Sequence, residues 1–483
     1  MAESASHGVS GTPPFYSIDM VANRISARPP LSEQDWDTII GVMRELRLAR
    51  LETGGQLTDS ALQRVSELDF VTDLDLGDCR WLTDRGFQRL DRMPQLASLV
   101  MNGRDNPIGD PGLTVLRQLR ELRRFTMTWA SRVTDKGAAQ LAGCDLLESV
   151  DLMGTATGDD VIRALGNKGR LAHLKTGTQV SDAGLSLLGQ VPAFKRWQGG
   201  AIRYSLTSPD AGPTHLLIDG PFTDRGLATL GALEGLFGLS IFWHSPAFTD
   251  EGFKQLAKLP RLGLLGCPGD RTTDLALRHI AALPQLRILV AQGAVAGDEG
   301  FAALSRSPTL EYLWGRECPN LTGRGFLALS TMPSLKGLGV SLKQVDQDAL
   351  AALPRFPGLR ELMPMDLTDA GFRHVGGMDR LETLWCMYCR ETGDAATEAI
   401  AQLRLKGYYA GLTRITDRSL AILGRMASLE QLDFQHVAGI TDAGIALLTR
   451  LPALREITVA GSAGVTRQAV AGFPARVRAH YWP

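Results

Sequence analysis

Cys386-Met387-Tyr388-Cys389 holds the only Cys-x-x-Cys spacing in the sequence, and two thiolates so placed can supply half of a zinc site or a dithiol exchange couple. A complete site needs a second pair. The remaining cysteines, Cys79, Cys144, Cys267 and Cys318, are scattered singly along 483 residues, far from the density of a disulfide-stapled scaffold. The neighbouring residues suggest a simpler role. Leu384-Trp385-Cys386 alternates as a strand does, with Leu384 and Cys386 on its inner side and Cys389 three residues further on. Cys79 and Cys318 occupy the same place after Leu74-Asp75-Leu76 and Leu313-Trp314-Gly315. The pattern predicts packed thiols rather than a metal or redox centre.

Other side chains with catalytic potential are equally dispersed. The 8 histidines form no His-Glu-x-x-His, and there is no Gly-x-Ser-x-Gly or Walker-type loop. Asp159 and Asp160 are adjacent carboxylates, but they stand where a helix begins, and capping accounts for them. No catalytic residue, metal ligand or cofactor is assigned, and a non-enzymatic protein is expected.

A Thr/Ser-Asp-x-Gly-Leu/Phe element recurs with its aspartate at positions 84, 110, 135, 182, 224, 250, 298, 369 and 442. Related forms stand at Asp59, Asp274, Asp348 and Asp417, and neighbouring copies fall about 23 to 26 residues apart, the period of a stacked array. In the copy beginning at Thr441, that threonine or Asp442 can cap a short helix, and the aspartate complements its positive end. Ile445, Leu448 and Leu451 form one apolar stripe, and Pro452 ends the helix. Ile457 and Val459 then alternate with polar Thr458, the period of a half-buried strand. Glycine in the Asp-x-Gly step, as at Gly86, Gly112, Gly226 and Gly252, is expected to relieve crowding between first helical turns.

These motifs resemble the leucine-rich-repeat superfamily, in particular the cysteine-containing subtype found in F-box-associated receptors and many bacterial proteins, over roughly residues 52 to 482. The resemblance implies an α/β right-handed solenoid, a horseshoe with a parallel β-sheet on its concave face and short helices on its convex face. About seventeen strands are expected, which at the usual spacing of about 4.8 Å would run roughly 80 Å along the arc. It implies little about function, because the shared residues are core and cap positions.

Residues 1–15, rich in Ser, Gly and Pro, are expected to form a flexible tail. Residues 16–51 read as a helical cap, with Ser32 starting a helix and Trp36, Ile39, Ile40, Met43 and Leu46 along one apolar face. No F-box is present. The array proper spans 52–475. The gap from Asp182 to Asp224 is nearly two periods, with a loop insertion at about 199–213 in place of a helix. Residues 476–483 read as a final strand whose Arg478 and His480 discourage edge pairing.

With 51 basic and 52 acidic residues and no Lys/Arg run, the chain lacks the footprint of a phosphate-backbone binder. No stretch is long and apolar enough for a membrane span, so neither nucleic acid nor membrane is an expected partner and the cytoplasm is the expected location. The informative residues are large groups at outward strand positions, Phe242, Tyr312, Trp314, Met363, Met365, Trp385, Met387 and Tyr408, joined just past the strands by Tyr388, Tyr409 and His436. Apolar groups facing solvent suggest a surface that is covered part of the time. Arg316 would orient what covers it. The expected function is a scaffold that binds a protein or peptide on its concave face. The alternatives are a substrate-recognition subunit of a larger assembly, such as a ligase receptor or bacterial effector, and an enzyme or small-ligand binder using the 199–213 loop as a lid.

Overall fold

Every repeat is built by the same local rules, visible in the helix Asp442–Leu448 and the strand Glu456–Ala460. Thr441 is in extended backbone and its side chain accepts from the Ala443 amide, which starts the helix. Gly444, Ile445 and Leu448 are its buried face. In the strand, buried Ile457 and Val459 alternate with partly exposed neighbours. The computed structural model describes residues 15–482 apart from 105, 198, 200, 201, 203–205, 207–211 and 246. The expected tail, residues 1–15, thus lies outside the described residues except for Phe15.

The chain forms two compact units, Met1–Gly200 with Ala211–Arg261, and Ala201–Asp210 with Leu262–Pro483. The first opens with an antiparallel hairpin, Tyr16–Asp19 against Arg24–Ala27, which the sequence did not suggest. Arg24–Ala27 pairs in parallel with Arg50–Glu52, and pairing continues in chain order to Gly238–Ile241. In the second unit, parallel pairing runs in order from Leu264–Gly266 to Arg478–Trp482. Each unit therefore has leucine-rich-repeat architecture, an α/β solenoid with parallel strands on one side, short helices on the other, and the leucine columns buried between them.

The N-terminal helix Glu33–Leu46 has a capping box between Ser32 and Asp35 and buries Trp36, Ile39, Ile40 and Met43. Leu46, expected on that face, is exposed because the helix turns left-handed at Arg47 and ends. At the other end, Arg478 and His480 both reach Glu456 on the neighbouring strand.

What joins successive repeats is a carboxylate. In copies such as those of Thr249 and Thr441 the threonine caps its own helix, while the aspartate beside it accepts from the next repeat. Asp298 takes the Thr322 amide at 2.8 Å and the Thr322 hydroxyl at 2.5 Å. Asp417 takes the same pair from Thr441 at 2.8 and 2.6 Å. The series opens with Glu33, which accepts from the Thr58 hydroxyl at 2.7 Å. It closes at Thr466, held by Asp442, because the following residue is Arg467 and no acidic group stands there to continue it.

Where a glycine stands two residues after the aspartate, this bond explains it more specifically than helix crowding does. A Cβ on Gly86 would lie 1.8 Å from Asp59 Oδ1, one on Gly252 2.6 Å from Asp224 Oδ1, and one on Gly444 2.1 Å from Asp417 Oδ1. Asp348 is not part of the series. It is exposed, and the helix Gln347–Leu350 is capped by its own Asp346. In the preceding helix Gly323 stands where the aspartate would be.

The same bond resolves the long gap. Asp182 accepts the Thr223 amide at 2.6 Å and its hydroxyl at 2.7 Å. The strands His173–Lys175 and His215–Ile218 pair directly. The gap is thus one repeat with a long connection, carrying a short helix Pro192–Lys195, and not two repeats with a loop replacing a helix. Of residues 199–213, only Gly199, Ile202, Leu206, Gly212 and Pro213 are described, and the rest of that insertion lies outside the described residues.

Two measurements follow. Gly252→Ala is expected to destabilise by about 1–3 kcal/mol in denaturant unfolding, because the carboxylate must move. Gly41→Ala, in a helix with nothing within 4 Å of its new Cβ, should stabilise by about 0.5–1 kcal/mol. The second concerns acid. Burial alone would raise Asp298, but the Thr322 hydroxyl and amide, the Gly325 amide and Arg324 outweigh it and hold the carboxyl below its ordinary value of 3.8. A folded value below the unfolded one contributes stability above the unfolded value and loses it as pH falls through the folded value. Asp298→Asn should therefore cost about 1–3 kcal/mol at neutral pH, with the difference from the parent shrinking as the pH drops below 3.8.

Candidate functional site

In the second unit the register aligns Val290, Trp314, Gly339 and Met363 in one column on the side of the sheet away from the helices. Trp385, Tyr409 and Asp433 form a column in the same way, and the pairing of Leu362 with Leu384 sets Met363 beside Trp385. Tyr312, Trp314, Met363, Met365, Trp385 and Tyr409 share this face, but several are not open to solvent. Tyr312 is 8 % exposed, Met363 4 %, Met365 3 % and Trp385 5 %.

Glycines leave room for two of the rings, Gly337 on the neighbouring strand for Tyr312 and Gly407 on the same strand for Tyr409. A Cβ on Gly337 would be 2.4 Å from Tyr312 Cδ1, and one on Gly407 3.0 Å from Tyr409 Cε2. Trp385 and Tyr409 stack with centroids 5.2 Å apart and planes 18° from parallel. The Tyr409 hydroxyl donates to Gln431 Oε1 at 2.8 Å.

Tyr408 requires a correction. It shares register with Leu384 and Leu432, the core column, and is fully buried with its hydroxyl 3.4 Å from Thr397 Oγ1. Burial pushes its phenol well above the usual range. Gly407-Tyr408-Tyr409 carries no polar-apolar alternation, so only the neighbouring strands decide which tyrosine points inward.

The accessible part of the face consists of half-buried Trp314, Arg316, Met387, Tyr388 and Tyr409, with exposed His436. Three of these occupy left-handed backbone, with φ of 51° at Arg316, 68° at Tyr388 and 53° at His436. The Arg316 guanidinium lies 5.1 Å from the centre of the Tyr388 ring. His436 leans over Gly461, where a Cβ would come within 2.3 Å of its Nδ1.

Phe242 lies in the first unit, in a separate aromatic group. Its ring centre is 6.3 Å from Trp129, 5.7 Å from Trp243 and 5.3 Å from His244. His244 Nδ1 meets Asp219 Oδ2 at 3.0 Å, and the Asp219 side chain is fully buried. Burial raises the Asp219 carboxyl, and His244 opposes the shift. This imidazole–carboxylate pair was not evident in the sequence, because its members stand 25 residues apart on adjacent repeats. Ser245 donates to the same carboxylate at 3.3 Å instead of to the imidazole, so a serine–histidine–aspartate relay is not assembled.

All six cysteines are free and buried. Cys318 donates to the Gly315 carbonyl at 3.2 Å and Cys389 to the Pro364 carbonyl at 3.0 Å. Thr53 does the same to the Leu76 carbonyl, sharing it with Cys79. Burial pushes Cys79 and Cys144 up to about 11, and Cys318 and Cys389 up to about 12. Among the described residues, no three His, Cys, Asp or Glu side chains are grouped to hold a metal ion. No described helix is long and apolar enough to cross a membrane.

No protein-family model matches the chain. No curated protein matches it. Among solved structures it is similar to the yeast Rad7 and Elc1 complex, at 15% identity over 91% of this chain and 86% of that chain with a TM-score of 0.39. It is also similar to the plant peptide hormone receptor RGFR1 in complex with RGF2, at 13% identity over 82% and 68% with a TM-score of 0.31. A third is the TLR13–ssRNA13 complex, at 13% identity over 90% and 65% with a TM-score of 0.39. These likenesses are distant and assign no partner to this chain.

The buried, raised thiols predict resistance to alkylation. Iodoacetamide at about pH 8 should leave the mass of the native chain unchanged, whereas the unfolded chain should take up six adducts. Rapid modification of Cys386 or Cys389 in the native chain would contradict the packing role.

Proposed function

We propose that this protein is a non-enzymatic recognition scaffold, and that its partner, a protein or peptide, docks on the helix-free sheet face of the second unit around Trp314, Arg316, Met387, Tyr388, Tyr409 and His436. The observation that carries this reading is the backbone beneath them. Other repeats hold glycine at the corresponding left-handed positions, at Gly154, Gly293 and Gly461, or a larger residue, at Trp129, Asp366 and Leu412, and the strand bulge near Arg316 matches one at Gly77. Glycine takes that conformation freely, whereas a bulky residue is strained there by roughly 1–2 kcal/mol. Strain retained where a strain-free residue fits is the mark of a selected side chain. Tyr312, Met363, Met365 and Trp385 form the packed floor behind these groups, and aromatic rings beside an arginine are typical anchors of protein interfaces.

Restoring glycine tests this directly. Tyr388→Gly and His436→Gly should keep stability within about 1 kcal/mol of the parent or raise it, while removing the partner that the parent captures from its own cell extract. Variants that lose stability yet retain the captured partner would show that these side chains serve the fold.

A further inference from the structure

One contact on this face comes from far away in sequence. Leu206 is 2 % exposed, and its backbone N–H donates to Glu361 Oε2 at 2.8 Å across 155 residues. Its methyl groups lie over Gly339, where a Cβ would be 3.3 and 3.6 Å from them and 3.5 Å from Trp314 Cδ1. Leu206 therefore occupies one small seat made by the missing side chain of Gly339 and bordered by the Trp314 indole. Both Leu206 and Glu361 belong to the second unit.

We propose that the seat over Gly339 is a subsite for an aliphatic side chain of an extended peptide, and that in the free protein the chain's own Leu206 fills it. This deepens the recognition reading above and rests on it, since it specifies the partner's chemistry. The partner presents a backbone N–H to Glu361 and a leucine-like side chain to Gly339. Burial raises the Glu361 carboxyl, and the Leu206 amide opposes that shift.

The internal occupant satisfies the seat incompletely. Trp314 Nε1 and Arg316 Nε are buried donors with no acceptor among the described residues. Buried donors of this kind are normally paired. A peptide carrying carbonyl oxygens to these two donors makes hydrogen bonds that the present arrangement leaves unmade. Leu206 thus acts as a resident competitor, held by its covalent connection, which a better-matched segment displaces.

The test uses the full chain and a fluorescein-labelled synthetic peptide with the sequence of residues 199–213, followed by anisotropy. The probe should bind Leu206→Ala about tenfold or more tightly than the parent, because the parent's tethered segment competes at high effective concentration. Adding Gly339→Val to Leu206→Ala should abolish that binding. Equal affinity for the parent and Leu206→Ala, or binding that survives Gly339→Val, overturns the proposal. Hydrogen exchange on the unaltered parent gives an answer that no variant's folding can obscure. The Leu206 amide should be protected, and exchange at the rate of an unstructured peptide would sink the idea. If the probe behaves as expected while Tyr388→Gly still captures its partner, the seat stands and the wider recognition reading fails. If the probe shows no preference and Tyr388→Gly loses its partner, the reverse holds.

Discussion

The hydrogen bonds that an aspartate makes to the threonine of the following repeat impose the order found elsewhere in each unit. One carboxylate accepts both an amide and a hydroxyl, so it sets the distance and the rotation between successive helices at once. It also crowds the position three residues after that threonine, where a Cβ on Gly252 would meet Asp224 and one on Gly444 would meet Asp417. With the helix starts held in step, the strands they lead into pair in a single register, and a one-residue slip would turn every leucine of a repeat out of the core. The long connection after Asp182 shows how strongly this bond governs the stacking. The chain leaves for some forty residues and still returns to offer Thr223 to the same carboxylate.

A face whose register is imposed from behind can carry sequence that would be poor at specifying a sheet by itself. Gly337, Gly339 and Gly407 all lie in strands of the second unit, where glycine ordinarily weakens pairing. Here it makes room for the Tyr312 and Tyr409 rings and gives Leu206 its seat. The face becomes a smooth apolar floor with its larger charged and aromatic groups raised on strained backbone at one margin. Such a surface resembles the centre of a protein interface, where well-packed anchors are flanked by groups that set orientation.

Much of this was legible in the residues. The Thr-Asp-x-Gly period revealed the repeat, the alternation of Ile457 and Val459 revealed the strands, and the shared position of Cys79, Cys318 and Cys389 revealed buried thiols. What escaped had physical causes. The period alone does not say whether an aspartate serves its own helix or the next one, since both roles favour a carboxylate at a helix start. Tyr408 was misassigned because two adjacent tyrosines carry no alternation. The packing of Tyr312 depends on a glycine one strand away and that of Trp385 on the stacked Tyr409, and the contact of Leu206 with Glu361 spans too many residues for any local pattern to reveal. The pairing of Asp219 with His244 was hidden in the same way.

A double-mutant cycle at Asp417 and Thr441 tests the constraint most directly, because the two residues meet only if the carboxylate reaches across to the next repeat. Asp417→Asn, Thr441→Val and the pair together are compared by denaturant unfolding. The inter-repeat bond predicts a coupling energy of about 1–3 kcal/mol, so that the double variant loses clearly less than the sum of the singles. Strictly additive losses would mean that each residue only caps its own helix, and the register of the face would then need another cause.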